Sequence, residues 1–250
     1  MIDFHTHILP RIDDGASSLE ESLALLRILE EQGVDTVALT PHYYGRQDGV
    51  ERFLEKRSEA YRALTEAYTG PVRLLAGCEC NIDTCANADM SDLAPLALEG
   101  TRYILAELSF SPKTDERIFR RLRALREAEL VPVIAHAELY PVVRKHPGLA
   151  TDLIGAGCLL QINCESVMRE GKNGLARALI AHGQAHCLGS DTHDTTRRPP
   201  LYREAVETLT REFGAAVVEK MQENMEKIVG NESLHADAGE PVKRKLFGYA

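Results

Sequence analysis

Two histidines one residue apart, His5 and His7, open the chain in "MIDFHTHILPRIDDG", with Asp13 and Asp14 close behind. Groups of the same kind recur where short apolar runs end: His42 in "TPH", Glu79 in "GCE", Glu107 in "AEL", His136 in "IAH", and Asp191 with His193 in "GSDTH". Imidazole nitrogens mixed with carboxylate oxygens suit Mn, Fe or Zn better than Ca or Mg alone. Each residue alone has a plain structural explanation. "HTH" arises by chance, Asp13 and Asp14 suit a turn and helix start, Glu107 and His136 suit hydrogen-bonded core positions, and Glu79 suits an exposed strand end. The repetition needs a different reason, because converging carboxylates repel one another unless cations lie between them. The nine donors His5, His7, Asp14, His42, Glu79, Glu107, His136, Asp191 and His193 exceed the roughly four to six that one ion takes. They predict two or three divalent transition-metal ions. The remaining histidines read differently: His146, His182 and His235 fall at helix ends or in polar loops, and His186 stands at the wrong end of its strand.

Positioning such a set requires many strands ending on one side. Apolar runs alternate with helical patterns along the chain. "MIDF", "VDTVALTPH", "VRLLAGCE", "TRYILAELS", "VPVIAHAE", "CLLQINCE" and "AHCLGSDTH" read as strands. "SSLEESLALLRILEEQG", "VERFLEKRSEAYRALTEAY", "TDERIFRRLRALREAE", "GLATDLIGAG" and "GLARALIAHG" read as helices, and further helices finish the chain. In the first helix Leu19, Leu23, Leu26 and Leu29 share a face, Ser17 and Glu20 form a capping box, and Gly33 ends the helix. Repeated βα units with apolar strands predict an α/β fold with a parallel sheet under helices. About seven such units in 250 residues suit one closed or nearly closed barrel, where chemistry gathers at the C-terminal strand ends. Strand residues i and i+2 face the same way, so His5 with His7, and Asp191 with His193, would each point as a pair into one cavity. Residues 1–231 are read as one barrel domain. Residues 232–250 are read as a tail whose Leu246, Phe247 and Tyr249 could dock.

The net charge of −9 argues against a nucleic-acid-binding face. The start lacks the basic and apolar regions of a secretory signal, and no apolar run nears the roughly 18 residues of a membrane span. A cytoplasmic protein is expected. The six cysteines lie in or near apolar runs, and "CECNIDTC" lacks paired C-x-x-C spacing, so they are expected as reduced thiols in the core.

Taken in order, these residues resemble the PHP (polymerase and histidinol phosphatase) superfamily. "HTHILPRIDDG", "TPHY", "GCE", "YILAELS", "IAHAE" and "GSDTHDTTRRPP" resemble more narrowly its bacterial tyrosine phosphatase branch, associated with capsular and exopolysaccharide synthesis. The likeness runs from Ile2 to about residue 231. It implies a distorted (β/α)7, TIM-like barrel with a trinuclear centre, commonly of manganese, iron or zinc. His5, His7, Glu79 and Asp191 would hold one ion. Glu79 would bridge to a second, held also by Glu107 and His136, and Asp14, His42 and His193 would hold a third. Arg198 matches a phosphate-binding arginine of the family. This chain departs at Ala137, Glu138 and Leu139, where the branch usually has Pro-Glu-Arg with that arginine also serving the phosphate. Arg144 and Arg197 are the candidates to replace it.

The resemblance implies a phosphomonoester hydrolase acting on phosphotyrosine, with an autophosphorylated tyrosine kinase of polysaccharide synthesis as partner. Water between two cations loses a proton near neutral pH, giving a hydroxide to attack phosphorus, while the ions and Arg198 stabilise the transferring group. Phenolate, with a pKa near 10, leaves more readily than a serine alkoxide. Covalent routes are excluded: no cysteine has an arginine six positions on, and there is no Asp-x-Asp. Two alternatives remain, a small-molecule phosphatase such as a histidinol phosphatase and a metal-loaded, weakly active regulatory protein.

Overall fold

In the computed structural model, which describes residues 1–85, 89–111, 116–171, 174–246 and 248–250, the apolar runs form strands. They are β1 (Ile2–Thr6), β2 (Thr36–Leu39), β3 (His42–Tyr43), β4 (Arg73–Ala76), β5 (Glu79–Asn81), β6 (Tyr103–Glu107), β7 (Val131–Ile134), β8 (Leu159–Asn163) and β9 (Cys187–Gly189). The helices are α1 (Leu19–Glu31), α2 (Val50–Ala67), α3 (Glu116–Glu127), α4 (Pro141–Lys145), α5 (Leu149–Gly155), α6 (Cys164–Arg169), α7 (Leu175–Ala181), α8 (Tyr202–Phe213) and α9 (Ala215–Val229). Every residue of β1, β2, β6, β7, β8 and β9 is buried. Burial on both faces explains why these strands read as continuous apolar runs rather than alternating ones.

Two sheets result, ordered β1-β2-β4 and β3-β5-β6-β7-β8-β9, with every pairing parallel. The six-stranded sheet curls as a parallel half-barrel of TIM-like kind. The second and third sequence-predicted strands are each split. Pro41 has no N–H to give, and the pairing lapses there before resuming as His42 opposite Glu79. The path stays continuous, because Gly77 N donates to Leu39 O at 2.9 Å and Glu79 N to Pro41 O at 3.0 Å. Past β9 the chain rejoins β1: Asp191 N donates to His5 O at 2.8 Å and His7 N to Thr192 O at 2.9 Å.

The cap of α1 lies one residue later than the sequence predicts. Ser18 Oγ accepts from Glu21 N, while Glu21 reaches back to the backbone and hydroxyl of Ser17. Leu25, Leu26 and Leu29 are the buried leucines of this helix, and Leu19 and Leu23 are half-buried at the margin. The predicted start of α3 at Thr114 lies outside the described residues, and Glu116 is the first described residue of that helix. All six cysteines are buried and unbridged.

Described residues of 232–250 lie against the rest of the fold. Tyr103 Oη donates to Glu232 O at 2.5 Å, Gln184 Nε2 to Ala238 O at 2.6 Å, and Tyr249 Oη to Arg144 O at 3.0 Å. Val242 is buried, whereas Leu246 is exposed. A short antiparallel pair, β10 (Arg244–Lys245) and β11 (Gly248–Tyr249), ends the chain. Phe247 lies outside the described residues.

Candidate metal centre

All nine predicted donors converge at the C-terminal ends of the strands. Glu79 stands at the middle: its Oε2 is 3.3 Å from both His5 Nε2 and His7 Nε2 and 3.0 Å from His42 Nδ1. Its Oε1 is 2.7 Å from His136 Nε2. Asp191 Oδ1 lies 3.6 Å from His5 Nε2 and 3.5 Å from His7 Nε2. Asp14 Oδ1 is 3.5 Å from His42 Nε2 and 3.6 Å from His193 Nε2. Three sets place their donor atoms within 4.8 Å of one another: His5, His7 and Glu79; His42, Glu79 and Glu107; and His7, Asp14, His42 and His193.

The hydrogen bonds behind the rings fix which nitrogen is free. His7 Nδ1 faces Asp13 Oδ2 at 2.7 Å, and His5 Nδ1 faces Gln161 Oε1 at 3.0 Å. Gln161 Oε1 also accepts from His136 N at 2.8 Å, which supports its assignment as the oxygen. Both Nδ1 atoms therefore donate, and in a neutral ring both Nε2 atoms carry lone pairs. Those lone pairs face each other across 3.0 Å. Two acceptors at that distance need a cation or an extra proton between them. Three buried polar atoms without a hydrogen-bond partner, Glu79 Oε2, His42 Nδ1 and His136 Nδ1, sit in the same cluster.

The electrostatics carry the same demand for positive charge. Burial disfavours the His7 imidazolium, but Asp13 and Glu79 overcome this and hold its pKa at about 10. Burial also opposes charge on His136, yet Glu79 lifts it to about 9. Burial and then the charge of Glu79 push Glu107 upward. Burial raises Asp191, but His5, His7 and Arg198 bring it down to about 2. Protons and one guanidinium are thus the counter-charges of this carboxylate cluster. Its histidine and carboxylate donors fit divalent transition-metal ions.

Several contributors escape the sequence reading. Asp13 has a side chain 5% exposed, against 69% for Asp14 beside it. It accepts from His7 Nδ1, from His42 N at 2.9 Å and from Gly15 N at 3.0 Å. Gln161 and Asn163 point from β8 toward the site, with Gln161 Nε2 donating to Asn163 Oδ1 at 2.8 Å and Asn163 Nδ2 to Asp191 Oδ2 at 2.7 Å. Asn81 Nδ2 donates to Glu107 Oε2 at 2.8 Å. Such partners orient ligands and set their basicity. Polar residues two apart inside the apolar run "LLQIN" are the signal that could have revealed Gln161 and Asn163.

Backbone geometry re-aims two donors. His136 has φ 33° and Asp191 φ 53°, left-handed conformations that are rare outside glycine and gather at functional sites. Asp191 and His193 therefore do not form the regular i, i+2 pair expected; the strand ends at Gly189, and a turn brings both inward. Gly189 admits the close approach of β1, since a Cβ there would lie 2.6 Å from His5 Cβ. Arg198 bonds directly to the cluster, through Nη1 to His193 Nε2 at 2.9 Å and Nη2 to Asp191 Oδ2 at 2.7 Å. Arg144 donates to Glu138 O at 2.8 Å and pairs with Glu170. Arg197 pairs with Asp194 at 3.5 Å. Leu139 is half-buried in the turn after His136. His146 and His235 are exposed, His182 is half-buried with Nδ1 on Glu240 O, and His186 is buried beneath β8, accepting from Leu160 N.

A family described as "Capsular polysaccharide synthesis, CpsB/CapC" matches residues 1–230. The chain belongs to the CpsB/CapC family. It is 31% identical over 259 residues to tyrosine-protein phosphatase YwqE of Bacillus subtilis (strain 168), covering 100% of both chains. It is 30% identical to tyrosine-protein phosphatase CpsB of Streptococcus pneumoniae, over 92% of this chain and 98% of that one. A solved structure, reported with YwqE and CpsB as "unique metal-dependent tyrosine phosphatases", superposes with a TM-score of 0.82 at 28% identity, covering 98% of this chain and 100% of that chain. Membership in this family bears out the narrower resemblance read from the strand-end motifs.

Proposed function

We propose that this CpsB/CapC chain is a metal-dependent protein tyrosine phosphatase, with its chemistry at the cluster around Glu79. The observation that carries the reading is the 3.0 Å approach of the Nε2 atoms of His5 and His7 beside Glu79, with both Nδ1 atoms held from behind. Relatives matched over nearly their whole length carry the same named activity.

His5, His7, Glu79 and Asp191 would hold one ion, Glu79, Glu107 and His136 a second, and Asp14, His42 and His193 a third. Manganese comes first among the metals, with iron and zinc as alternatives. Bound ions supply Lewis acidity that acidifies water and neutralises charge on phosphate oxygens. The protein's part is preorganisation. Asp13 and Gln161 hold the imidazoles in one tautomer and orientation, and Asn163 and Asn81 hold Asp191 and Glu107. Arg198 presents its guanidinium from the edge of the cluster, half in solvent, where it can take the phosphate oxygens of an incoming ester. Arg197, on the same loop, and Arg144 are the second candidates for phosphate contact. Each would have to leave its present carboxylate partner.

The architecture supporting this is a distorted (β/α)7 barrel over residues 1–231. Counting β2 with β3 and β4 with β5 as two broken strands gives seven, and the bonds from β1 to residues 191 and 192 link the ends of the series. Residues 232–250 form a tail packed on its outside. The substrate class is a phosphotyrosyl protein, and a cytoplasmic tyrosine autokinase of polysaccharide synthesis is the partner this assignment implies.

The test compares kcat/KM of the manganese-loaded protein on a phosphotyrosyl peptide and on histidinol phosphate. Peptide preference abolished by a chelator and restored by manganese is expected. Preference for histidinol phosphate would overturn the substrate, and turnover insensitive to chelation would overturn the centre.

A further inference from the structure

A groove of about 890 Å³ opens beside the cluster, between the loop after β3, the turn after β5, the segment after β6 and the start of α3. It reaches the cluster at two points. Asn81 lines it while donating to Glu107, and Phe110 lines it with its ring centroid 5.6 Å from that of His136. Charges of both signs stand on its walls, Arg46 and Arg117 with Asp83 and Glu116, so no single sign of charge marks it. The ring of Phe110 does.

Three large apolar side chains are exposed among the described residues: Phe110, Met168 and Leu246. Of these, Phe110 lines this groove, and it is 49% exposed there. Its position is fixed all the same. The ring packs at 5.0 Å on buried Tyr140. Tyr140 Oη accepts from Leu108 N at 2.9 Å, and Asp83 Oδ2 accepts from Ser109 N at 2.9 Å, so the backbone is tied at both residues before Phe110. An aromatic ring held from behind and bare in front takes a second ring on its open side. One fixed beforehand gives up little freedom when it does so.

The phenyl ring of phosphotyrosine joins the phosphoryl group to the peptide, so a phosphoryl group at the cluster brings that ring to the cluster's edge. We propose that Phe110 is the platform on which this ring lies, and that it gives the site its selectivity for phosphotyrosine over phosphoserine. The phosphoryl end then points toward Glu107 and His136, and the peptide leaves along the groove. A phosphoserine has no ring to lay there and gains nothing from Phe110. Tyr44 is the competing ring, stacked on His42 with centroids 5.3 Å apart. It is half-buried and lines a smaller cavity of about 260 Å³ together with Asp13 and Asp14, surroundings that suit a phenyl ring less well. The assignment rests on the tyrosine phosphatase reading and traces its selectivity to one side chain.

The experiment measures inhibition constants of phenylphosphonate and methylphosphonate against hydrolysis of a phosphotyrosyl peptide by the manganese-loaded protein. Neither phosphonate has a leaving group, so leaving-group chemistry drops out. Comparing the ratio of the two constants between variants cancels their difference in acidity, and an inhibition constant does not depend on how much of a variant is folded. Phe110→Ala is expected to cut the preference for phenylphosphonate by roughly threefold to tenfold, the scale of one aromatic pair. Phe110→Trp should keep the preference, and Tyr44→Ala should leave it in place. The phosphotyrosyl-over-phosphoseryl ratio of kcat/KM should fall by a similar factor in Phe110→Ala, through KM. An unchanged phosphonate ratio in Phe110→Ala would overturn the platform and leave the phosphatase reading standing. So would loss of the preference in Tyr44→Ala instead. No hydrolysis of any phosphotyrosyl peptide by metal-loaded wild type would remove the phosphatase reading, and the platform with it.

Discussion

Replacing Asp13 with asparagine tests whether the support behind His7 governs metal affinity. The carboxylate takes three donors: His7 Nδ1 at 2.7 Å and His42 N at 2.9 Å on Oδ2, and Gly15 N at 3.0 Å on Oδ1. An amide accepts at one end and donates at the other. The best orientation keeps its oxygen toward His7 and His42 and turns its NH2 on the Gly15 N–H. One bond becomes a repulsion, and the negative charge behind the imidazole is lost. That charge is firmly present in the native site: although burial opposes it, the His7 bond and charge hold Asp13 well below the usual carboxylate range. Losing a partner of this type weakens metal binding about 10- to 100-fold, or about 1.4–2.8 kcal/mol. Manganese titration of chelated Asp13→Asn should therefore show an apparent Kd raised by that factor. Excess manganese should restore most of the turnover. An affinity within twofold of wild type would refute the role given to Asp13. A turnover defect that saturating metal does not repair would refute the claim that it acts through the ion.

Arg198→Ala should lower kcat/KM on a phosphotyrosyl peptide by about 100-fold, the scale for losing one preorganised donor to transition-state charge, while metal content by mass spectrometry stays full; stripped metal would assign Arg198 to the cluster instead. Gly189→Ala puts a methyl group 2.6 Å from His5 Cβ and 2.9 Å from Gln161 Nε2, so β9 and β1 must separate, at roughly 1–3 kcal/mol. Its urea midpoint should fall, and an unchanged midpoint would show that the strands are not tightly apposed. His186 is held neutral by burial, with its pKa lowered to about 4. Because the unfolded chain takes up this proton near pH 6.5 and the folded one does not, stability is full above that value and declines as pH falls toward 4. The term is roughly 2–3 kcal/mol by pH 4.5. His186→Asn, which can still accept from Leu160 N, should shrink the loss between pH 7 and 4.5 in chelated protein by about that much, and an identical pH dependence would refute it.

The sequence made the meeting of nine donors legible because eight of them, all but Asp14, stand at or just past the end of an apolar run, and buried parallel strands announce both their path and their ends. What supports those donors was less legible. Asp13 and Asp14 are adjacent and chemically alike, yet one is buried behind His7 and the other exposed toward His42 and His193; the local turn decides, and no periodicity encodes it. Gln161 and Asn163 sit in a strand whose apolar neighbours dominate its pattern. The breaks near Pro41 and Gly77 divide two strands that sequence reads as continuous, because apolar composition persists across them. The left-handed turns at His136 and Asp191 leave no compositional mark, since neither position is glycine. The cap of α1 slipped by one residue because Ser17 and Ser18 are equivalent as types, and only packing selects between them.

Leu139 stands where the resemblance implies an arginine, so Arg198, Arg197 and Arg144 are the guanidinium groups proposed for the phosphate. Of the three arginines named for phosphate, Arg198 already bonds to two members of the cluster. Its hold on Asp191 balances a buried carboxylate, which bound cations would balance in its place, freeing the guanidinium for an anionic ester. Arg197 is 88% exposed, and its pairing with Asp194 at 3.5 Å is of a class worth at most about 1 kcal/mol. Turning it toward phosphate is therefore cheap, and it stands next to Arg198. Arg144 would have to give up both its carboxylate partner Glu170 and the backbone oxygen of Glu138. Leaving that carbonyl unpaired adds the penalty of a lost hydrogen bond. On these terms Arg197 would be the better second hand for the phosphate in the proposed reaction, while Arg144 braces the turn after His136 through its bond to Glu138 O.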